Sequence, residues 1–100
     1  MASLTIISWR DIPAQVVVRR GRETAKVQLS ERFETAIDRA AMRAGFAAND
    51  AYLAEWRRGE PTECGEDLKA EVEKAAQRLE DEFTEERLLH LVRAGGRIEE

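Results

Sequence analysis

The feature that most constrains this chain is a change of apolar period at Ser30. Before it, residues 3–9 (SLTIISW), 15–20 (QVVVRR) and 24–29 (TAKVQL) are short apolar or alternating runs, the period-2 signature of strands. After it, apolar residues recur every three or four positions, which is the spacing of helices that bury one face. Strands first and helices second predict an α+β fold, with a three-stranded antiparallel meander followed by three or four helices packed on the sheet. One face of that sheet takes the helices; a helix over each face is the next arrangement to expect. A hairpin of two strands is marginal in water, so the third strand and the helical layer are needed to hold it.

The punctuation supports these boundaries. Asp11-Ile12-Pro13 breaks the first run, because Asp can bond nearby backbone and Pro fixes φ and donates no hydrogen bond. Gly21 in RRGRE suits a turn that needs positive φ. Ser30 is the expected N-cap of a helix over about residues 31–44, with its hydroxyl reaching a free amide of the first turn. Phe33, Ile37, Ala40, Ala41 and Ala44 make that helix's stripe, and its alanines suit close packing on the sheet; Gly45 ends it. Asn49 is the expected cap of a shorter helix over about 50–58, on which Tyr52, Leu53 and Trp56 share a face before Gly59 and Pro61. A helical stretch over about 64–94 carries Leu68, Val72, Ala75, Ala76, Leu79 and Phe83. Thr84 is placed to cap a fresh helix bearing Leu88, Leu91 and Val92. The pattern fits one helix or two. Residues 97–100 follow Gly95-Gly96 as an expected frayed tail.

At 100 residues the chain is expected to be a single domain, with 3–29 as meander and 30–96 as the helical part. A chain of this size buries about 60–70% of the surface its unfolded form exposes, which allows one modest core. One Cys forbids an internal disulfide, and one Cys with one His cannot make a zinc site of those residues alone. No apolar run approaches the roughly 20 residues of a membrane span, and MASLTIISW lacks the basic start of a signal peptide. The expected compartment is the cytoplasm, with no membrane partner. The net charge of -4 is unevenly placed: eight Lys/Arg against five Asp/Glu in residues 1–45, then eight against fifteen in 46–100. Either the two halves pack and partly cancel, or the cluster of Arg19, Arg20, Arg22 and Lys26 meets an acidic partner or phosphate. An acidic total with six aromatics argues against a nucleic-acid binder.

Catalytic constellations are not found. Cys64 sits near a helix start, which favours a thiolate, but Glu63 and Glu66 oppose it. His90 is the only base of its kind, and Glu86 lies one turn before it. The acidic run 80–86 lacks the spacing and glycine of a calcium loop, and no glycine-rich phosphate loop is present. The chain is therefore expected to be no enzyme and to hold no cofactor. The residues that stand out are aromatic and basic: Trp9, Tyr52 and Trp56, with Arg57 and Arg58 beside the last. Trp, Tyr and Arg are enriched at interface hot spots. Either both indoles are core, with their N–H groups bonded to backbone, or Trp9, or Trp56 with its arginines, is exposed and binds a partner.

Three segments carry a resemblance: Trp9-Arg10-Asp11-Ile12-Pro13-Ala14-Gln15-Val16, Arg32-Phe33-Glu34-Thr35-Ala36-Ile37-Asp38, and Tyr52-Leu53-Ala54-Glu55-Trp56. Together they resemble a small bacterial family known as virulence factor, which is similar to a domain of the larger conserved virulence factor C proteins. There the similar domain stands beside an iron–sulfur-scaffold-like domain and helical repeats. The free-standing form is often encoded near folate- and corrinoid-dependent methyl-transfer proteins. The resemblance thus implies an accessory or adaptor protein that binds another protein in a setting of one-carbon metabolism, with Trp9, Asp11 and Pro13 matching the signature. The expected partner-binding residues are Trp9, Asp11, Pro13, Arg19, Arg20, Trp56, Arg57 and Arg58. The competing reading of the signature is a turn, with Asp11 bonding backbone, Pro13 stiffening it and Trp9 anchoring it. The alternative function is a small-ligand or cofactor-binding domain with a pocket between sheet and helices near Trp9 and Trp56. The oligomeric state stays open.

Overall fold

The computed structural model describes residues 2–45 and 50–97. Asn49 and residues 98–100 of the tail lie outside the described residues. Strands β1 (Ala2–Trp9), β2 (Ile12–Arg20) and β3 (Glu23–Gln28) form the expected antiparallel meander, followed by helices α1 (Glu31–Arg43), α2 (Asp50–Ala54), α3 (Leu68–Glu82) and α4 (Glu85–Arg93). The fold is α+β. Two three-residue strands enlarge the sheet: β4 (Trp56–Arg58) and β5 (Thr62–Cys64) both pair antiparallel with β1 on the edge that β2 leaves open. Between them the Gly59 amide donates to the Ile6 carbonyl at 2.9 Å, so residues 56–64 act as one interrupted edge strand.

Cross-strand pairs share a face of the sheet. Leu4 pairs with Val18 and Val18 with Ala25, while Ile6 pairs with Val16 and Val16 with Val27. This apolar face takes α3, whose Val72, Ala76 and Leu79 are buried. The opposite face carries Thr5, Ile7, Gln15, Val17, Arg19, Lys26 and Arg58 by register. The other helices gather at the Trp9–Ile12 end of the sheet. There α1 packs chiefly on α4 rather than on the sheet, its Phe33, Ile37, Ala40 and Ala41 buried alongside Leu88, Leu91 and Val92.

Three local expectations change, and the open choice over 64–94 closes on two helices. The break at Asp11-Ile12-Pro13 is a two-residue turn, Arg10-Asp11, after which β2 runs through Pro13. The register slips between Ile7↔Gln15 and Ser8↔Pro13, a bulge that lets a central strand hold a residue with no N–H to donate. The helix expected over 50–58 stops at Ala54, because pairing with β1 recruits Trp56, Arg57 and Arg58 into β4. The stretch 64–94 is two helices preceded by β5. Phe83 leaves the helical region at ψ 81°, and Thr84 caps α4, accepting the Arg87 amide at 3.2 Å. Ser30 does stand at the N-cap of α1, but its side chain makes no cap bond. Its hydroxyl and its amide instead both donate to the Glu80 carboxylate, each at 2.8 Å.

Candidate functional site

The signature turn is built as a clasp. Trp9 is fully buried, its indole N–H donates to the Tyr52 carbonyl at 2.9 Å, and its ring stacks on Tyr52 with centroids 5.7 Å apart. Arg10 takes a left-handed φ of 53°, unusual for a residue with a Cβ. Interactions with two distant segments hold it there. Its guanidinium donates to Glu55 at 2.8 Å and to the Gly95 carbonyl at 2.9 Å, and its amide donates to the Glu55 carbonyl at 3.1 Å. The Asp11 amide donates to the Gly96 carbonyl at 2.8 Å. Hydrogen bonds from Arg10 hold the Glu55 carboxyl below the usual carboxylate range, with Arg97 adding to the effect. One turn thereby joins the sheet, the end of α2 and the chain after α4.

That geometry divides the expected partner-binding residues. Trp9 and Pro13 are buried and so offer no surface contact, while Asp11 is half-buried and joins the clasp through its amide. Arg20 is half-buried, donating to the Glu66 carbonyl at 2.9 Å and pairing with Glu23 at 2.8 Å. Trp56 is 37% exposed, and Arg57 and Arg58 are exposed beside it on β4. The exposed Arg19 shares a sheet face with Arg58, whereas Arg57, opposite Ser8, belongs to the other. The structure therefore places Trp56, Arg57 and Arg58 together on β4 and sets Arg19 and Arg20 apart at the far end of β2, Arg19 level with Ser3, which pairs with Glu63 of β5.

The three aromatics form a ladder. Tyr52 stacks on Trp9 with one side and meets Trp56 at 90°, centroids 6.1 Å apart. The Tyr52–Trp56 corner borders a cavity of about 180 Å³ whose other walls include Gln28, Ile37, Glu34 and Asp38. Burial raises the Tyr52 phenol pKa and Asp38 and Glu34 raise it further, against an opposing hydrogen bond with Trp56. Glu34 and Asp38 belong to no sequence motif for binding. The only hint is their i,i+4 spacing on either side of buried Ile37. A larger cavity of about 370 Å³ lies between the sheet and α3, near Leu4, Ile6, Cys64, Glu71 and Arg78 rather than near Trp9 and Trp56.

The Cys64 thiol is not set up as a nucleophile. Burial pushes the Cys64 thiol up, and Glu71, Glu66 and Glu63 push it further, so the thiolate is disfavoured. Cys64 lies on β5, whereas His90 is exposed in the last turn of α4. Among the described residues no group of three or more His, Cys, Asp or Glu converges to hold a metal ion, and no helix is long and apolar enough to cross a membrane. No curated protein and no solved structure matches the chain. The family model described as virulence factor matches residues 7–92, a span that holds the Arg10-Asp11 turn, the aromatic ladder and most of the core. The chain belongs to the virulence factor family.

Proposed function

We propose that this chain is a non-catalytic accessory or adaptor protein that binds another protein through the β4 edge. The observation that carries the reading is a partly exposed Trp56 on an edge strand with Arg57 and Arg58 exposed beside it. An indole held by Tyr52 from below costs little rotamer entropy on binding, and Trp and Arg are the residues that most often dominate interface energy. Arg57 and Arg58 make this edge cationic, which suits an acidic partner surface. The disfavoured Cys64 thiolate supports a role without covalent catalysis. A cytoplasmic setting in folate- or corrinoid-dependent methyl transfer is part of the proposal and rests on the family resemblance alone.

The test compares affinity-tagged wild type with a W56A/R57E/R58E triple variant, both shown folded by circular dichroism, in the native cell after mild crosslinking. Wild type is expected to retain a defined protein that the variant loses, and a methyl-transfer enzyme among the retained proteins would support the setting. Equal retention by both would refute the reading. A second reading, binding of a small ligand, is favoured by the 370 Å³ cavity between sheet and α3, a volume within the range of ligand sites. A rise in melting temperature with a folate or corrinoid, unaffected by the triple variant and removed by an A75W substitution, would favour it.

A further inference from the structure

The smaller cavity has a chemistry of its own. Tyr52 and Trp56 stand perpendicular to one another and give it two aromatic walls. Aromatic faces carry negative quadrupole density and attract cations, tryptophan most strongly. Glu34 and Asp38, one helical turn apart on α1, line the same space. Neither carboxylate has an ion-pair partner among the described residues, although four ion pairs are formed elsewhere. The Gln28 side chain adds a polar group, while Ala14, Leu29 and Ile37 supply an apolar floor suited to methylenes. At about 180 Å³ the space corresponds to about six water molecules, enough for the end of an alkyl chain and its head group but not for a ring system the size of a folate. The raised Tyr52 phenol is consistent with a negative field here.

We infer that the cavity between α1 and the Tyr52–Trp56 corner is a binding site for an organic cation, an alkylammonium or guanidinium group whose stem lies on Leu29 and Ile37 and whose charge sits between the rings and the two carboxylates. The group is carried either by a lysine or arginine of a partner segment or by a free small amine. The site goes beyond the partner-binding edge and needs no partner to be tested. The basic residues Arg57 and Arg58 lie outside its lining.

The experiment is a titration of the full chain followed by two-dimensional amide and indole NMR. The probes are n-butylammonium, n-butylguanidinium, neutral n-butanol, and a blocked Gly-Gly-Lys-Gly-Gly peptide. The expected result is a saturable shift of the Trp56 indole signal by the cations at millimolar Kd, with at least tenfold weaker response to butanol. An E34Q/D38N variant, whose substitutions lie on the outer side of α1 and leave its buried stripe intact, is expected to weaken cation binding at least tenfold. W56A is expected to abolish it. Tighter binding of the peptide than of butylammonium assigns the cation to a partner side chain, and the reverse assigns it to a free amine. Butanol binding as well as butylammonium, or wild type and E34Q/D38N responding alike, or no saturable shift with any cation, overturns the inference. The crosslinking comparison reports on Arg57 and Arg58, so the two readings fail separately.

Discussion

Replacing Gly96 by alanine probes the clasp at its tightest point. Gly96 has a φ of +94°, and a Cβ there would lie 2.7 Å from Cζ3 and 3.1 Å from Cε3 of Trp9. Neither the ring nor the backbone has an easy escape. The indole is fully buried and tied to the Tyr52 carbonyl, and the Gly96 carbonyl is held by the Asp11 amide. Forcing an L-residue into this backbone region costs about 1–3 kcal/mol. Overpacking against a fixed aromatic ring adds about 1–3 kcal/mol. At roughly 4–8 °C per kcal/mol for a chain of this size, a middle value of about 4 kcal/mol lowers Tm by about 16–32 °C. Gly21→Ala is the control, since Gly21 also has positive φ, +59°, but nothing lies within 4 Å of its added Cβ. It is expected to show the backbone cost alone, about 1–2 kcal/mol. Urea melts of both variants, with and without Trp9→Phe, isolate the steric part. In that cycle Trp9→Phe costs stability by itself, and costs less when Gly96 is already alanine, because the shortened ring makes room. A Gly96→Ala loss no greater than that of Gly21→Ala, or simple additivity with Trp9→Phe, would refute the argument.

Two further perturbations address the helical layer. Burial alone would raise the Glu80 carboxyl, yet hydrogen bonds from the Ser30 amide and hydroxyl and from the Arg32 guanidinium, at 3.1 Å, hold it below the usual range. A carboxyl depressed in the folded state adds stability above its unfolded pKa and loses it as pH falls through the folded value. Wild type should therefore weaken more steeply below about pH 4.3 than Glu80→Gln, which is expected to be less stable at neutral pH by about 1–3 kcal/mol; parallel acid melts would contradict this. Thr84→Ala removes the side-chain cap of α4 and is expected to cost about 1 kcal/mol, with faster hydrogen exchange at the Arg87 amide that Thr84 accepts. Unchanged exchange there would show that the cap is not what holds the first turn.

The parts legible in the sequence are those whose causes are local. Alternation in 24–29 declares a half-exposed strand, and Thr84 before Glu85 announces a helix start, because both patterns are complete within a few residues. The failures have distant causes. Trp56, Arg57 and Arg58 follow Tyr52 at helical spacing and become a strand only because β1 offers an open edge about fifty residues earlier. Ser30 has the right residue and position for a cap, and an accepting carboxylate from α3 outcompetes the local amide. The two indoles are equivalent in composition. Their opposite fates are decided by the Tyr52 carbonyl and by Gly96, which lie far along the chain from Trp9. The acidic wall of the small cavity is invisible until α1 is set against the aromatic corner, since Glu34 and Asp38 alone are ordinary surface residues of a helix.

The interrupted strand over residues 56–64 has a consequence for the nascent polypeptide. As synthesis proceeds, β1 and β2 are complete once Arg20 has emerged, but the second side of β1 is not fully covered until Cys64 follows. That gap of roughly 40 residues lasts roughly 2–8 s at ordinary elongation rates of about 5–20 residues per second. Throughout it, Leu4, Ile6 and Ile7 stand on an unprotected, hydrogen-bond-hungry border. Ribosome-bound chains stalled before Thr62 should thus recruit holdase chaperones that chains stalled past α3 release.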